Sequence, residues 1–173
     1  MRALKILTII AVVGTIILTT IFMINIAPIV LNTQSKLVEK YVGDYNITKY
    51  VAKMVDHECK TMYSFIDKDF CRWNTAALWV LKNIRYKNDS LTENAFYTNN
   101  SPELTYKNGN DCDGIAIFFI NVLKELGFKK VYIAFQGING KSDHLCVLWD
   151  DDTQIRKFNC FTDREIIYVK RVL

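Results

Sequence analysis

The segment Asp111-Cys-Asp-Gly-Ile-Ala-Ile-Phe-Phe-Ile-Asn-Val-Leu-Lys-Glu-Leu126, closed by Gly127, decides how this 173-residue chain is read. Its apolar positions, Ile115, Ala116, Phe118, Phe119, Val122, Leu123 and Leu126, recur every three to four residues, which predicts a helix. They cover more than one stripe, so the helix is expected to be buried on two sides. Gly127 supplies the left-handed residue with which helices commonly end. Beyond it the pattern changes to short β-rich runs: Val131–Phe135, His144–Trp149, Gln154–Phe158 and Ile166–Val172. Gly137 to Lys141 and Asp150 to Asp152 read as the turns between them. Helices first and strands afterwards predict an α+β domain with an antiparallel sheet.

Upstream, residues 32–58 carry helical periodicity interrupted at Gly43, which predicts two short helices. Residues 56–72 are polar and read as a loop. Asn74 or Thr75 then caps a helix over Ala76 to Ile84. From Tyr86 to Asp111 no period is visible, and an irregular stretch of that length inside a domain points to a functional loop.

The N-terminus is a different material. Residues 6–31 carry no charged side chain. At about 1.5 Å per residue they are long enough for a hydrocarbon core of roughly 30 Å. The run exceeds a secretory h-region, and its small-residue exit at Ala27 is followed by Pro28, so a retained single-pass anchor in the bilayer is expected rather than a cleaved signal. Arg2 and Lys5 favour an inside N-terminus and an extracytoplasmic domain. The expected organisation is an anchor over residues 1–31, a helical lead-in over 32–74 and a catalytic core over 75–173. Of the net charge of +4, two units belong to Arg2 and Lys5. The remainder is mild and forms no basic stripe, so nucleic acid is not an expected partner.

Five cysteines are present: Cys59, Cys71, Cys112, Cys146 and Cys160. An odd number outside the cell suggests two pairs and one free thiol. Cys59 and Cys71 are spaced to staple the turn between two helical segments if the domain is external, or are buried thiols. Glycosylation triplets begin at Asn46, Asn88 and Asn99, a pattern common by chance in an Asn-rich chain.

Chemistry concentrates at three residues. Cys112 stands at the start of the central helix, where the dipole and unpaired N–H groups favour a thiolate and a lowered pKa. His144 opens an apolar strand after a Gly-containing turn, where an imidazole can share the proton of Cys112. Asn159 lies one strand further on, where its amide can hold the imidazole in one tautomer. His57 sits beside Glu58 on an amphipathic helix and reads as a surface residue.

At these residues the chain resembles the transglutaminase-like superfamily. The resemblance is carried by Gly109-Asn-Asp-Cys-Asp-Gly-Ile-Ala116, the helix ending at Leu126-Gly127, Val131-Tyr-Ile-Ala134 and Asp143-His144-Leu-Cys-Val-Leu148, with Ile84-Arg-Tyr86 upstream. It covers about residues 75 to 160. It implies a papain-like fold, a Cys helix packed on an antiparallel sheet, and acyl transfer or hydrolysis through a thioester. Cys112 would be the nucleophile and His144 the base. The family usually carries Asp in the third position. Here Asn159 stands in the matching Lys157-Phe-Asn-Cys160, as in papain-like enzymes, with Asp163 in reserve. The resemblance also implies an upstream Trp as oxyanion donor. Trp73 lies in a comparable region but reads better as a core aromatic; the backbone N–H of Cys112 is one natural donor.

The expected function is therefore a membrane-anchored cysteine peptidase or acyltransferase acting on protein or peptide substrates near the membrane surface. It needs no cofactor, although Asp111 and Asp113 are candidate calcium ligands because some superfamily peptidases depend on calcium. The triplet Asp150-Asp-Asp152 reads as a solvated turn. Two rivals stand beside this reading. One is a non-catalytic binding module on the same fold. The other is a structural zinc site from Cys112, His144, Cys146 and Cys160. Cys146, two residues from His144, shares its face of the strand. From there its thiol can approach Cys112, where oxidation would lock the site, or simply join the core.

Overall fold

Helices precede strands in the computed structural model, which describes Val13 and residues 29–62, 66–87 and 101–173. In chain order the described elements are α1 (residues 29–40), α2 (Asn46–Lys60), α3 (Lys68–Asn83), α4 (Pro102–Asn108) and α5 (Cys112–Glu125), then β1 (Val131–Ile138), β2 (Lys141–Asp150), β3 (Ile155–Phe158) and β4 (Glu165–Arg171). The strands form one antiparallel sheet in the order β3-β2-β1-β4. Residues 35–173 make one compact unit. The α+β expectation holds. α3 runs across the boundary expected between residues 74 and 75. The anchor expected over residues 6–31 lies almost wholly outside the described residues, among which no helix is long and apolar enough to cross a membrane.

α5 is the centre of the fold because most of its side chains are apolar and lie on more than one face. All residues from Cys112 to Leu123 are buried. It packs against α2, α3 and α4 and against β2. Phe119 stacks on Phe158 of β3 with ring centroids 3.9 Å apart, and Phe118 stacks on Trp79 of α3 at 6.0 Å. Burying each such side chain contributes about 1.5–3 kcal/mol. Asn121, fully buried in this helix, accepts from the N–H of Gly43 and donates to the carbonyls of Tyr41 and Ile117. It thereby secures the α1–α2 turn to α5.

Three local readings change. Within the loop expected over residues 56–72, residues 56–60 and 68–72 are helix. Asp67, rather than Asn74 or Thr75, caps α3 by accepting from the N–H of Phe70, and the Cys59–Cys71 disulfide and the Arg72–Asp56 ion pair join α2 to α3. The irregular stretch before Cys112 contains α4, started by Ser101 as cap and Pro102 in its first turn. The β1–β2 turn is tighter than Gly137 to Lys141. Asn139 and Gly140, with φ of 53° and 75°, form the two-residue connection that matches the strand twist.

Candidate active site

The start of α5 is built from polar residues on both sides of Cys112. Asp111 accepts from the N–H of Asp113, and Asp113 accepts from the N–H of Gly114. The buried side chain of Asn110 accepts from the N–H of Asp111 and donates to Thr105 of α4. It lies so close to the helix that a Cβ on Gly114 would stand 2.2 Å from its side chain. Glycine is therefore required in the first turn, one step beyond Asp113. Asp111 is the helix cap in this arrangement, and Asp113 lies in the first turn.

Cys112 is 8% exposed and is the one free cysteine of the five. Burial pushes its thiol up to about 11, against the helix-start expectation of a lowered value. The backbone N–H groups of Leu145 and of Cys112 itself favour the thiolate, while Asp111 and Asp143 disfavour it. Desolvation outweighs the helix terminus, so the resting sulfur is a protonated thiol. Leu145 is also the point at which Cys112 meets β2, one residue beyond His144.

His144 is 7% exposed. Its Nε2 lies 2.5 Å from the backbone carbonyl of Asn159, and its ring centroid lies 4.3 Å from that of Phe161. A carbonyl only accepts, so Nε2 carries the proton and Nδ1 carries the lone pair. Burial lowers the imidazole pKa, with the Asn159 carbonyl opposing that shift. The resting ring is neutral. Among the described residues no hydrogen bond joins the imidazole to the Cys112 thiol.

Asn159 meets the imidazole, but through different atoms than expected. The contact is made by its carbonyl rather than its amide, whose Nδ2 is buried without a partner among the described residues. Its φ of 57° places it in the left-handed region that Asn tolerates better than most residues, and this conformation follows the end of β3. Asp163, the reserve candidate, is exposed on the bend beyond β3. Trp73 is core: it is 3% exposed and packs against Phe119, Trp149 and Phe128.

Cys146 and Cys160 form a disulfide, with Cα atoms 5.1 Å apart. This removes two of the four ligands from the expected zinc set and commits the Cys146 sulfur to Cys160 rather than to Cys112. Among the described residues no group of three or more His, Cys, Asp or Glu side chains could hold a metal ion. Cys146 instead packs with Ala134, Leu148, Tyr132 and Cys160 on its face of the sheet.

Three neighbours of His144 are not legible in the sequence. Phe161 covers the imidazole, Arg164 lies over the Phe161 ring and pairs with Asp143, and buried Gln136 lies opposite His144 on β1. Only Gln136 carried a signal, a polar residue inside an apolar strand. The chain matches no protein-family model, no curated protein and no solved structure.

Proposed function

We propose that the chain is a thiol acyl-transfer enzyme of the transglutaminase-like, papain-like kind, a cysteine peptidase or amidase using Cys112 as nucleophile and His144 as base. The observation that carries this reading is the state of His144. Its Nε2 is committed to a carbonyl, which leaves a basic Nδ1 one residue from the main-chain N–H directed at the free cysteine.

The chemistry follows from the protonation states. The thiol and imidazole rest as neutral partners, so the proton moves from Sγ to Nδ1 as sulfur attacks the carbonyl carbon. The N–H groups of Leu145 and Cys112 are the candidate stabilisers of the developing negative charge. The imidazolium then protonates the departing amine, and water or a second amine cleaves the thioester. The Asn159 carbonyl stabilises the imidazolium by accepting from Nε2–H throughout.

Two disulfides support a domain in an oxidising compartment. Together with the uncharged residues 6–31 this favours a single-pass membrane protein whose catalytic domain is extracytoplasmic and whose substrates are proteins or peptides at the membrane surface. The binding-module reading is favoured by one observation, the raised pKa of a thiol not bonded to the imidazole.

A peptidyl acyloxymethyl ketone, applied to the full chain in detergent, separates the two. The enzyme reading expects labelling of the wild type, none of Cys112→Ala, and labelling at least ~100-fold slower in His144→Ala, the lower range of general-base contributions. Equal rates for wild type and His144→Ala overturn the enzyme reading and leave a binding module.

A further inference from the structure

Gln136 is 2% exposed and is among the largest fully buried side chains of the domain. It stands on β1 opposite His144. Every hydrogen bond recorded for its amide goes to the main chain of the segment that follows β3. Oε1 accepts from the N–H of Phe161 at 2.8 Å, and Nε2 donates to the carbonyl of Phe161 at 2.9 Å and to that of Arg164 at 3.4 Å. Gln136 thus pairs with both main-chain groups of Phe161, much as a neighbouring strand would.

That segment holds the imidazole. The carbonyl of Asn159 accepts from it and the ring of Phe161 covers it. Yet residues 159–164 have no regular structure, and Phe161 to Asp163 are exposed. Such a segment opens easily unless it is tied down. The Cys146–Cys160 disulfide fixes one side chain of it and the Arg164–Asp143 pair fixes another at the surface. Neither bonds to the peptide groups flanking Phe161. Gln136 does, from a buried position where an unpaired partner is costly.

We propose that Gln136 is a positioning residue, holding the 159–161 main chain so that the Asn159 carbonyl stays on Nε2 of His144 and Nδ1 stays free. This rests on the reading of His144 as the base, but its test does not. The readout is the Nε2–H resonance of His144 in ¹⁵N-labelled full-length protein in detergent, followed by exchange with water in both the wild-type and Cys112→Ala backgrounds. The hydrogen-bonded proton is expected to be protected in both. In Gln136→Leu, with both disulfides confirmed by mapping, exchange is expected to accelerate on the order of tenfold, the scale of one hydrogen bond. Gln136→Glu fills the same volume and keeps the acceptor for Phe161 N–H but loses the donors. It is expected to fall between the two, and it serves where the Leu variant does not fold. Unchanged protection in Gln136→Leu, or in Gln136→Glu if only that variant folds, overturns the proposal. Ketone labelling of Cys112 that fails while the Nε2–H responds to Gln136 overturns the enzyme reading alone.

Discussion

The two disulfides have nearly the same chain geometry and very different neighbours. Cys59–Cys71 closes a sequence separation of 12 and Cys146–Cys160 one of 14. The first joins α2 to α3 in the helical layer, beside the Asp56–Arg72 pair and the hydroxyl of Thr75. The second joins β2, two residues past His144, to the residue that follows Asn159. Chain entropy treats them alike. Only the second holds a segment on which the candidate base depends. Cross-link strength and functional consequence are therefore separable in this domain, and the variants below separate them.

The largest expected effect is on stability, and it is the same for both. Loops of this size correspond to about 3 kcal/mol each. The double variants Cys59→Ala/Cys71→Ala and Cys146→Ala/Cys160→Ala should each lose roughly that amount in urea unfolding of the full chain in detergent. A difference of more than about 2 kcal/mol between them would break the equivalence.

The second effect divides them. The helical-layer variant should leave the rate of ketone labelling at Cys112 unchanged, because none of the described residues it touches contacts His144. The sheet variant should slow labelling by about tenfold, as the Asn159 carbonyl loses one of its anchors. Equal rates in the two variants would show that the sheet disulfide is as remote from the site as the helical one.

How much of this was legible follows the same division. The buried helix was legible because its apolar positions, Ile115 to Leu126, admit one period, and β2 and β3 were legible from their β-branched and aromatic runs. The start of α3 was not, because residues 56–72 look polar and their order depends on a cross-link between two cysteines whose pairing the sequence left open. At the site, Cys112 and His144 are marked by residue type and position. The group on the imidazole is a main-chain carbonyl, and carbonyls carry no letter; the Asn159 amide, which the sequence brings to attention, makes no bond to the ring. The thiol pKa departs from the helix-start expectation because the helix terminus is a local feature, whereas desolvation sums over α5, β2 and everything packed around them.

A third prediction sets Cys112 against the surface. Burial pushes its thiol up to about 11, above the ordinary value of 9.0, so the folded state holds its proton longer than the unfolded chain does. The associated stability is present below pH 9 and is lost as pH rises through 11, by roughly 3 kcal/mol. Wild type should therefore lose stability relative to Cys112→Ala between about pH 8.5 and 10.5. Alkylation of Cys112 by iodoacetamide should climb across the same range without a neutral plateau. A plateau near pH 7 would mean a resting thiolate–imidazolium pair and would reverse the protonation states on which the chemistry above is built.

The smallest effect returns to the helical layer. Asp67 caps α3 four residues before Cys71, and its carboxylate accepts from the N–H of Phe70. Asp67→Ala should cost about 1 kcal/mol. Where the Cys59–Cys71 bond is intact it already holds the first turn of α3 to α2, so part of the cap's contribution is made redundant. The same substitution in the Cys59→Ala/Cys71→Ala background should then cost more, because the first turn is free to fray and the cap alone opposes it. Equal costs in the two backgrounds would show that the cap and the cross-link act on independent parts of the helix. In that case the disulfide acts through the loop it closes and not through the helix end it touches.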